Sequence, residues 1–374
     1  MEPSKVVAPP RLIFWETTAG CNLRCVHCRR LDVLDQVSDT DLSTDVAQRM
    51  IAGIAADYKP ILVLSGGEPL FRPDILPIAR FAKEQGLRVA LATNGTLVDD
   101  SKAQAIREAG VARVSISLDG VTPATHDRFR GAGNFVRALA GFDALKKENM
   151  SVQINMTVTK ANAHELPALY DMCLKRGADA LHLFMLVPVG CGVDIAETDM
   201  LPPDEYERWL NWFYDRDMER KIELKATCAP HYFRIVRQRS KEHGGLPPSH
   251  HRQEAKGSPV AGQALHQTTK GCLAGQGVCF ISHTGELFPC GYLPLSAGNI
   301  QQTPFKTLWE TSPLFNKLRD ADQLEGKCGI CSFKHVCGGC RARAWYAEAN
   351  EMAEEPHCDY TPPIPSFEKK EGRI

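Results

Sequence analysis

Short, nearly uninterrupted apolar runs alternate with longer amphipathic stretches along the first two thirds of the chain. The runs predict strands over residues 12–17, 61–65, 88–93, 113–118, 152–158 and 181–187. Between them, apolar positions recur every three or four residues and predict helices over 42–57, 75–84, 101–109, 135–147 and 165–176. Strands separated by helices of this length form βαβ units and a parallel sheet. Runs this apolar fit strands buried on both faces. Six such units predict an α/β fold, a partial (β/α)6 TIM-like barrel rather than a closed eight-fold one. A long helix carrying Trp209, Trp212 and Phe213 is predicted over 202–226. After residue 239 periodicity gives way to Gly, Pro, Ser, His and charge, the composition of a linker or mobile loop. The expected layout is a barrel over 10–237, a linker over 238–264, a small cysteine-rich domain over 265–360 and a Pro-rich tail over 361–374.

Composition narrows the class. The 374 residues carry 44 Lys and Arg against 45 Asp and Glu, a formal charge of −1, which argues against a nucleic-acid partner. A hydrophobic content of 43% supplies a core and excludes disorder throughout. No apolar run approaches the ~20 residues of a membrane span. Residues 1–11 lack the apolar stretch of a secretory signal. A cytoplasmic protein without a membrane partner is expected. Fourteen cysteines change the picture. They are too sparse for a disulfide scaffold and would stay reduced in a cytosol. Cys21, Cys25 and Cys28 sit together, and eight more fall between Cys272 and Cys358. Grouped, reduced cysteines read as metal ligands or redox sites.

The spacing Cys21-x3-Cys25-x2-Cys28 directly follows the first predicted strand, on the face where barrel enzymes place their active sites. Three thiolates can hold three irons of a four-iron cube and leave the fourth open to a small molecule. A zinc site would want a second C-x2-C pair, and none is near. Gly66-Gly67-Glu68-Pro69 follows the second strand; its glycines permit close backbone approach, and Glu68 offers an acceptor to an ammonium. Asn94 stands in a turn after the third strand. Ser117 and Asp119 project to one face after the fourth, available to ribose hydroxyls. Arg128 and Arg130 follow, either one a partner for a ligand carboxylate.

This ordered series, one member per strand end, resembles the radical S-adenosylmethionine (radical SAM) enzymes. His27 takes the place where that family usually has an aromatic residue. The resemblance implies a 4Fe-4S cluster on Cys21, Cys25 and Cys28 whose open iron binds S-adenosylmethionine (AdoMet). It also implies AdoMet contacts from Gly66, Gly67, Glu68, Pro69, Asn94, Ser117, Asp119, Arg128 and Arg130. An electron donor of ferredoxin or flavodoxin type is implied as well. The second group, with Cys328-x2-Cys331-x5-Cys337-x2-Cys340 at its centre, resembles the SPASM extension of the same enzymes. That extension implies two auxiliary 4Fe-4S clusters, one on Cys272, Cys279, Cys290 and Cys340, the other on Cys328, Cys331, Cys337 and Cys358. One residue fewer than usual separates Cys337 from Cys340, and a zinc ribbon on 328–340 is the alternative.

Of the other cysteines, Cys173 reads as buried packing, while Cys191 and Cys228 lie in loops and are pocket candidates. The opening Trp15-Glu16-Thr17-Thr18 and the arginines after Cys28 are similar to the tetrapyrrole-modifying branch, most of all its heme-forming members. That implies a small-molecule tetrapyrrole substrate and oxidative decarboxylation of two propionates of Fe-coproporphyrin III to vinyl groups. Arg29 and Arg30 would answer its carboxylates. His231 is a candidate ligand to the substrate iron, and Trp15 and Tyr232 are candidates to stack on the macrocycle, with core packing as the plainer fate of each. Alternatives are removal of acetate side chains, heme d1 formation, or modification of a peptide.

Overall fold

A computed structural model of the chain describes residues 7–30, 35–36, 38–242 and 270–363. Seven strands run parallel: β1 (Leu12–Glu16), β2 (Ile61–Ser65), β3 (Arg88–Thr93), β4 (Arg113–Ser117), β5 (Val152–Val158), β6 (Ala180–Met185) and β7 (Glu223–Thr227). They pair in sequence order, and the sheet continues past β1 into β8 (Val278–Ile281) and β9 (Leu287–Phe288). The β1–β8 pair is parallel and the β8–β9 pair antiparallel. The result is a curled, open half-barrel. One strand face, including Ile13, Trp15, Leu62, Leu64 and Leu91, is buried in a single core with the helices around it. Helix Thr44–Asp57 shows how the local code works. The Ser43 side chain accepts the Val46 N–H at its start, and Ala47, Ile51, Ile54 and Ala55 form its buried stripe.

The structure departs from expectation in two places. The single helix expected over 202–226 is a helix, Pro203–Met218, followed by β7. The chain turns at Arg220, which adopts φ +54. Leu224 and Ala226 are buried between half-exposed Glu223, Lys225 and Thr227, a period-two signal too short to stand out beside the helix. The barrel therefore has a seventh strand. The cysteine-rich segment, in turn, adds β8 to the barrel sheet directly, in register Leu12↔Val278 to Trp15↔Ile281. Of the expected linker, the first residues end helix His231–Glu242, while 243–264 lie outside the described residues, as does 364–374 of the tail. No helix among the described residues is long and apolar enough to cross a membrane. Trp15 and Tyr232 are buried in the core, so neither is available to stack on a ligand.

Candidate active site at the barrel rim

Parallel strands bring all their C-terminal ends to one rim. The cysteine loop after β1 is laced there to the loop after β2. The Gly67 N–H donates to the Thr18 carbonyl (2.9 Å) and the Glu68 N–H to the Gly20 carbonyl (2.8 Å). Gly66 has φ +144, and a Cβ on Gly67 would lie 2.2 Å from the Gly20 oxygen, so side chains are excluded at both. Pro69 opens a short 3-10 turn. The Glu68 carboxylate is fully buried and accepts from Thr93 Oγ1 (2.7 Å), the Asn94 N–H (2.7 Å) and the Leu70 N–H (3.1 Å). Asn94 Nδ2 in turn donates to Asn22 Oδ1 (2.9 Å). The Glu68 carboxylate therefore ties the loops after β2 and β3 together rather than standing open as an acceptor.

Burial pushes the Cys21 thiol up to about 12, and Glu68, Cys25 and Cys28 push it the same way. Burial takes Cys25 to about 11 against the pull of Arg130, whose Nη1 lies 3.7 Å from its sulfur. Arg130 is aimed by Asp119, which is fully buried and accepts from Arg130 Nε (2.6 Å) and the Thr157 N–H (2.8 Å). His27 Nε2 stands 3.4 Å from the same carboxylate, and burial lowers its pKa to about 4, keeping the ring neutral. Asp119 is therefore a clamp rather than an open ribose acceptor. Arg128 points away; it is mostly exposed, with Asp199 at 4.0 Å. Ser117 is half-buried at the end of β4, in register with Asn155.

Arg29 and Arg30 converge on Glu16, the buried last residue of β1. Arg30 Nη1 lies 2.7 Å from Glu16 Oε1, Arg29 pairs with the same oxygen, and His283 Nδ1 is 2.8 Å from Oε2. Burial pushes the Glu16 carboxyl up, yet Arg29, His283 and Arg30 together hold it well below the ordinary range. Arg29 also lies 4.2 Å over the Phe280 ring, beside the cysteine loop. Glu16 and His283 were not among the expected site residues. The available signal was a carboxylate closing an apolar strand at the rim. Cys191 joins this corner, its thiol donating to the Arg30 carbonyl (3.0 Å). A Cβ on Gly190, at φ +57, would lie 2.2 Å from the Arg29 carbonyl.

The C-terminal cysteines form two groups. Cys328, Cys331, Cys337 and Cys358 line one small cavity, together with Gly338, Gly339 and His231. Cys340 is not among the residues that line it. Cys340 belongs to a small buried cluster against which Cys228 and Cys290 pack. Cys279 is elsewhere, buried in the barrel core on β8. His231 is buried with neither ring nitrogen hydrogen-bonded, and burial lowers its pKa to about 3. It lines the C-terminal cavity with the four cysteines. Cys173 packs in the core, as expected.

These thiols fit iron–sulfur clusters. Buried thiols pushed above their ordinary pKa are poor as free groups, and cationic iron reverses that penalty by binding thiolate. A family model described as the Radical SAM superfamily matches residues 15–173, and one described as an iron-sulfur cluster-binding domain, SPASM, matches 272–340. The chain is 50% identical to the AdoMet-dependent heme synthase of Methanosarcina barkeri, over 94% of this chain and 97% of that protein. It is 42% identical to the protein of that name from Nitratidesulfovibrio vulgaris, over 94% and 93%. Among solved structures, Streptococcus suis SuiB bound to S-adenosylmethionine has the same fold. The TM-score is 0.69 at 16% identity, covering 94% of this chain and 77% of that one. The cofactors are accordingly a 4Fe-4S cluster with AdoMet in the barrel and iron–sulfur in the C-terminal segment. With its β1 cysteine loop, its laced rim and its second set of gathered thiols, the chain belongs to the SPASM-bearing radical SAM enzymes, in the family of the AdoMet-dependent heme synthases.

Proposed function

We propose that the protein converts two propionate side chains of Fe-coproporphyrin III to vinyl groups, giving heme b. The observation that carries this reading is the 50% identity to an AdoMet-dependent heme synthase along nearly the whole of both chains. Cys21, Cys25 and Cys28 would hold the cluster that, with AdoMet bound, would supply one 5′-deoxyadenosyl radical per propionate to abstract a hydrogen. Loss of carbon dioxide would then leave one electron per vinyl formed, for which the C-terminal iron–sulfur sites would offer an acceptor. Arg130, set by Asp119, places a cation against Cys25. The laced glycine loop and Asn94 shape the AdoMet pocket. Arg29 and Arg30, gathered on Glu16, stand where a guanidinium can answer a substrate carboxylate beside that pocket. A ferredoxin- or flavodoxin-type donor delivers the reducing electron.

The test is an anaerobic reaction of the reconstituted protein with AdoMet, a reductant and Fe-coproporphyrin III. Mass spectrometry should show two successive losses of carbon dioxide and heme b, with Cys21→Ala forming no 5′-deoxyadenosine. Deoxyadenosine formation that depends on a peptide or on didecarboxysiroheme, and not on Fe-coproporphyrin III, would overturn the reading.

A further inference from the structure

Cys272, Cys279, Cys290 and Cys340 are the set that the family resemblance offers for one auxiliary cluster, yet the fold separates one of them from the rest. Cys279 is paired with Ile13 in the β1–β8 ladder and is fully buried in the barrel core. Its neighbour Phe280 carries the Arg29 guanidinium over its ring, on the site side of the sheet. Successive strand residues point to opposite faces, so Cys279 faces away from that side. Bringing its sulfur round would need a one-residue slip of β8 that also turns Phe280 and Ile281 over.

Cys228 stands where Cys279 does not. It directly follows β7 and adopts φ +54, a conformation that costs a non-glycine residue strain and is kept where the surroundings impose it. Its carbonyl accepts from Arg343 Nη2 (2.7 Å). Arg343 is ion-paired with Glu355 (2.8 Å), and Glu355 Oε2 accepts the Cys340 N–H (2.6 Å). One buried ion pair thus fixes the backbone of Cys228 and of Cys340 together. Cys228 and Cys290 pack against the same small cluster that contains Cys340. Cys272 is tied in through its N–H, which donates to the Cys337 carbonyl (3.0 Å). A Cβ on neighbouring Gly338 would come within 3.8 Å of the Cys272 Cβ.

We infer that Cys228, not Cys279, completes the four-sulfur set with Cys272, Cys290 and Cys340 and ligates an auxiliary iron–sulfur cluster. The inference rests on the reading that the C-terminal segment carries such clusters. The two thiols also meet directly, since Cys228 and Cys340 share a side-chain hydrogen bond. Four thiolates complete one cube. The cysteine before the interdomain segment thereby links the last barrel strand to the cysteine-rich segment through iron.

The test uses the full chain with Cys21, Cys25 and Cys28 changed to alanine, reconstituted anaerobically, so that only auxiliary clusters contribute. Into this parent go C228A, C228G and C228S, and separately C279A and C279S. Iron and sulfide per chain, Mössbauer spectra and reduced-state EPR are read alongside circular dichroism. C228A and C228G are expected to lose up to half of the parent's iron. C228G also relieves the backbone strain, so loss there is not a folding effect. C228S, which keeps size and an oxygen ligand, should retain iron but shift the signal of one cluster, while C279S matches the parent. An unchanged C228S spectrum, or a shifted C279S spectrum, would overturn the assignment. An unmutated chain that makes heme would then leave the proposed activity standing. A chain that makes deoxyadenosine but no heme sinks the activity and leaves the ligand set untouched.

Discussion

Replacing Glu16 with glutamine should move stability and substrate affinity in opposite directions. Glu16 is 2% exposed and answers Arg29, Arg30 and His283. Removing one partner of a buried ion pair costs about 3–5 kcal/mol. The low end applies, because the Arg29 side chain keeps 23% exposure and can turn to water, while Arg30 at 7% cannot. With about 2.1 cal/mol/K of unfolding entropy per residue over 374 residues, about 3 kcal/mol lowers the midpoint by about 4 °C. The same change removes the Glu16 carboxylate from Arg29, whose side chain reaches solvent. An added charge-assisted contact to a substrate carboxylate is worth about 1.5–3 kcal/mol, or about tenfold or more in Kd. The assays are anaerobic thermal unfolding and absorbance titration with Fe-coproporphyrin III, AdoMet omitted. Glu16 titrates below the ordinary carboxylate range. Its contribution is therefore fully present above the unfolded value of about 4.3 and is lost only as pH falls through the lower folded value. The midpoint difference should thus be equal at about pH 6 and about pH 8. Affinity falling together with stability would refute the role given to the arginine pair.

Gly67→Ala drives a Cβ against the Gly20 carbonyl, so about 1–3 kcal/mol of strain should displace the cysteine loop. Equilibrium AdoMet binding should weaken at least about tenfold. His126 accepts the Asp119 N–H at Nδ1, and burial lowers its pKa to about 4 against about 6.5 unfolded. The unfolded chain therefore takes up the proton first, and stability falls with pH below about 6.5 by up to about 1.4 kcal/mol per unit. H126Q should flatten that slope in denaturant titrations between about pH 7 and about pH 5.5. Arg343→Met strands the buried Glu355 and should cost about 3–5 kcal/mol. R343M/E355Q should recover part of the loss in the thermal midpoint, and no recovery would show that the pair acts through another contact.

Much of the barrel was legible because its strands are short apolar runs between well-spaced amphipathic helices. The exceptions have a common cause. β7 is half polar and only five residues long, so its alternation is drowned by the helix before it. β8 looks like part of a cysteine-rich loop until its pairing with β1 is seen. At the site, the glycine loop and the three leading cysteines sit where their order along the chain said they would. The charged residues do not. Glu68 and Asp119 read as open acceptors but are buried clamps, Arg128 lies outside, and His231 lines the C-terminal cavity.

By itself the sequence determined which chemistry the protein carries. Cysteine spacing and the order of motifs at strand ends are local properties, and they survive any detail of packing. Only the tertiary structure decided which thiols share a site and which charges are already neutralised. Those are matters of strand face, backbone strain and long-range pairing. Cys279 and Cys228 differ in nothing the composition can see. One lies on the inner-core face of a strand, and the other is held against Cys340 by an ion pair whose members are remote from it in sequence.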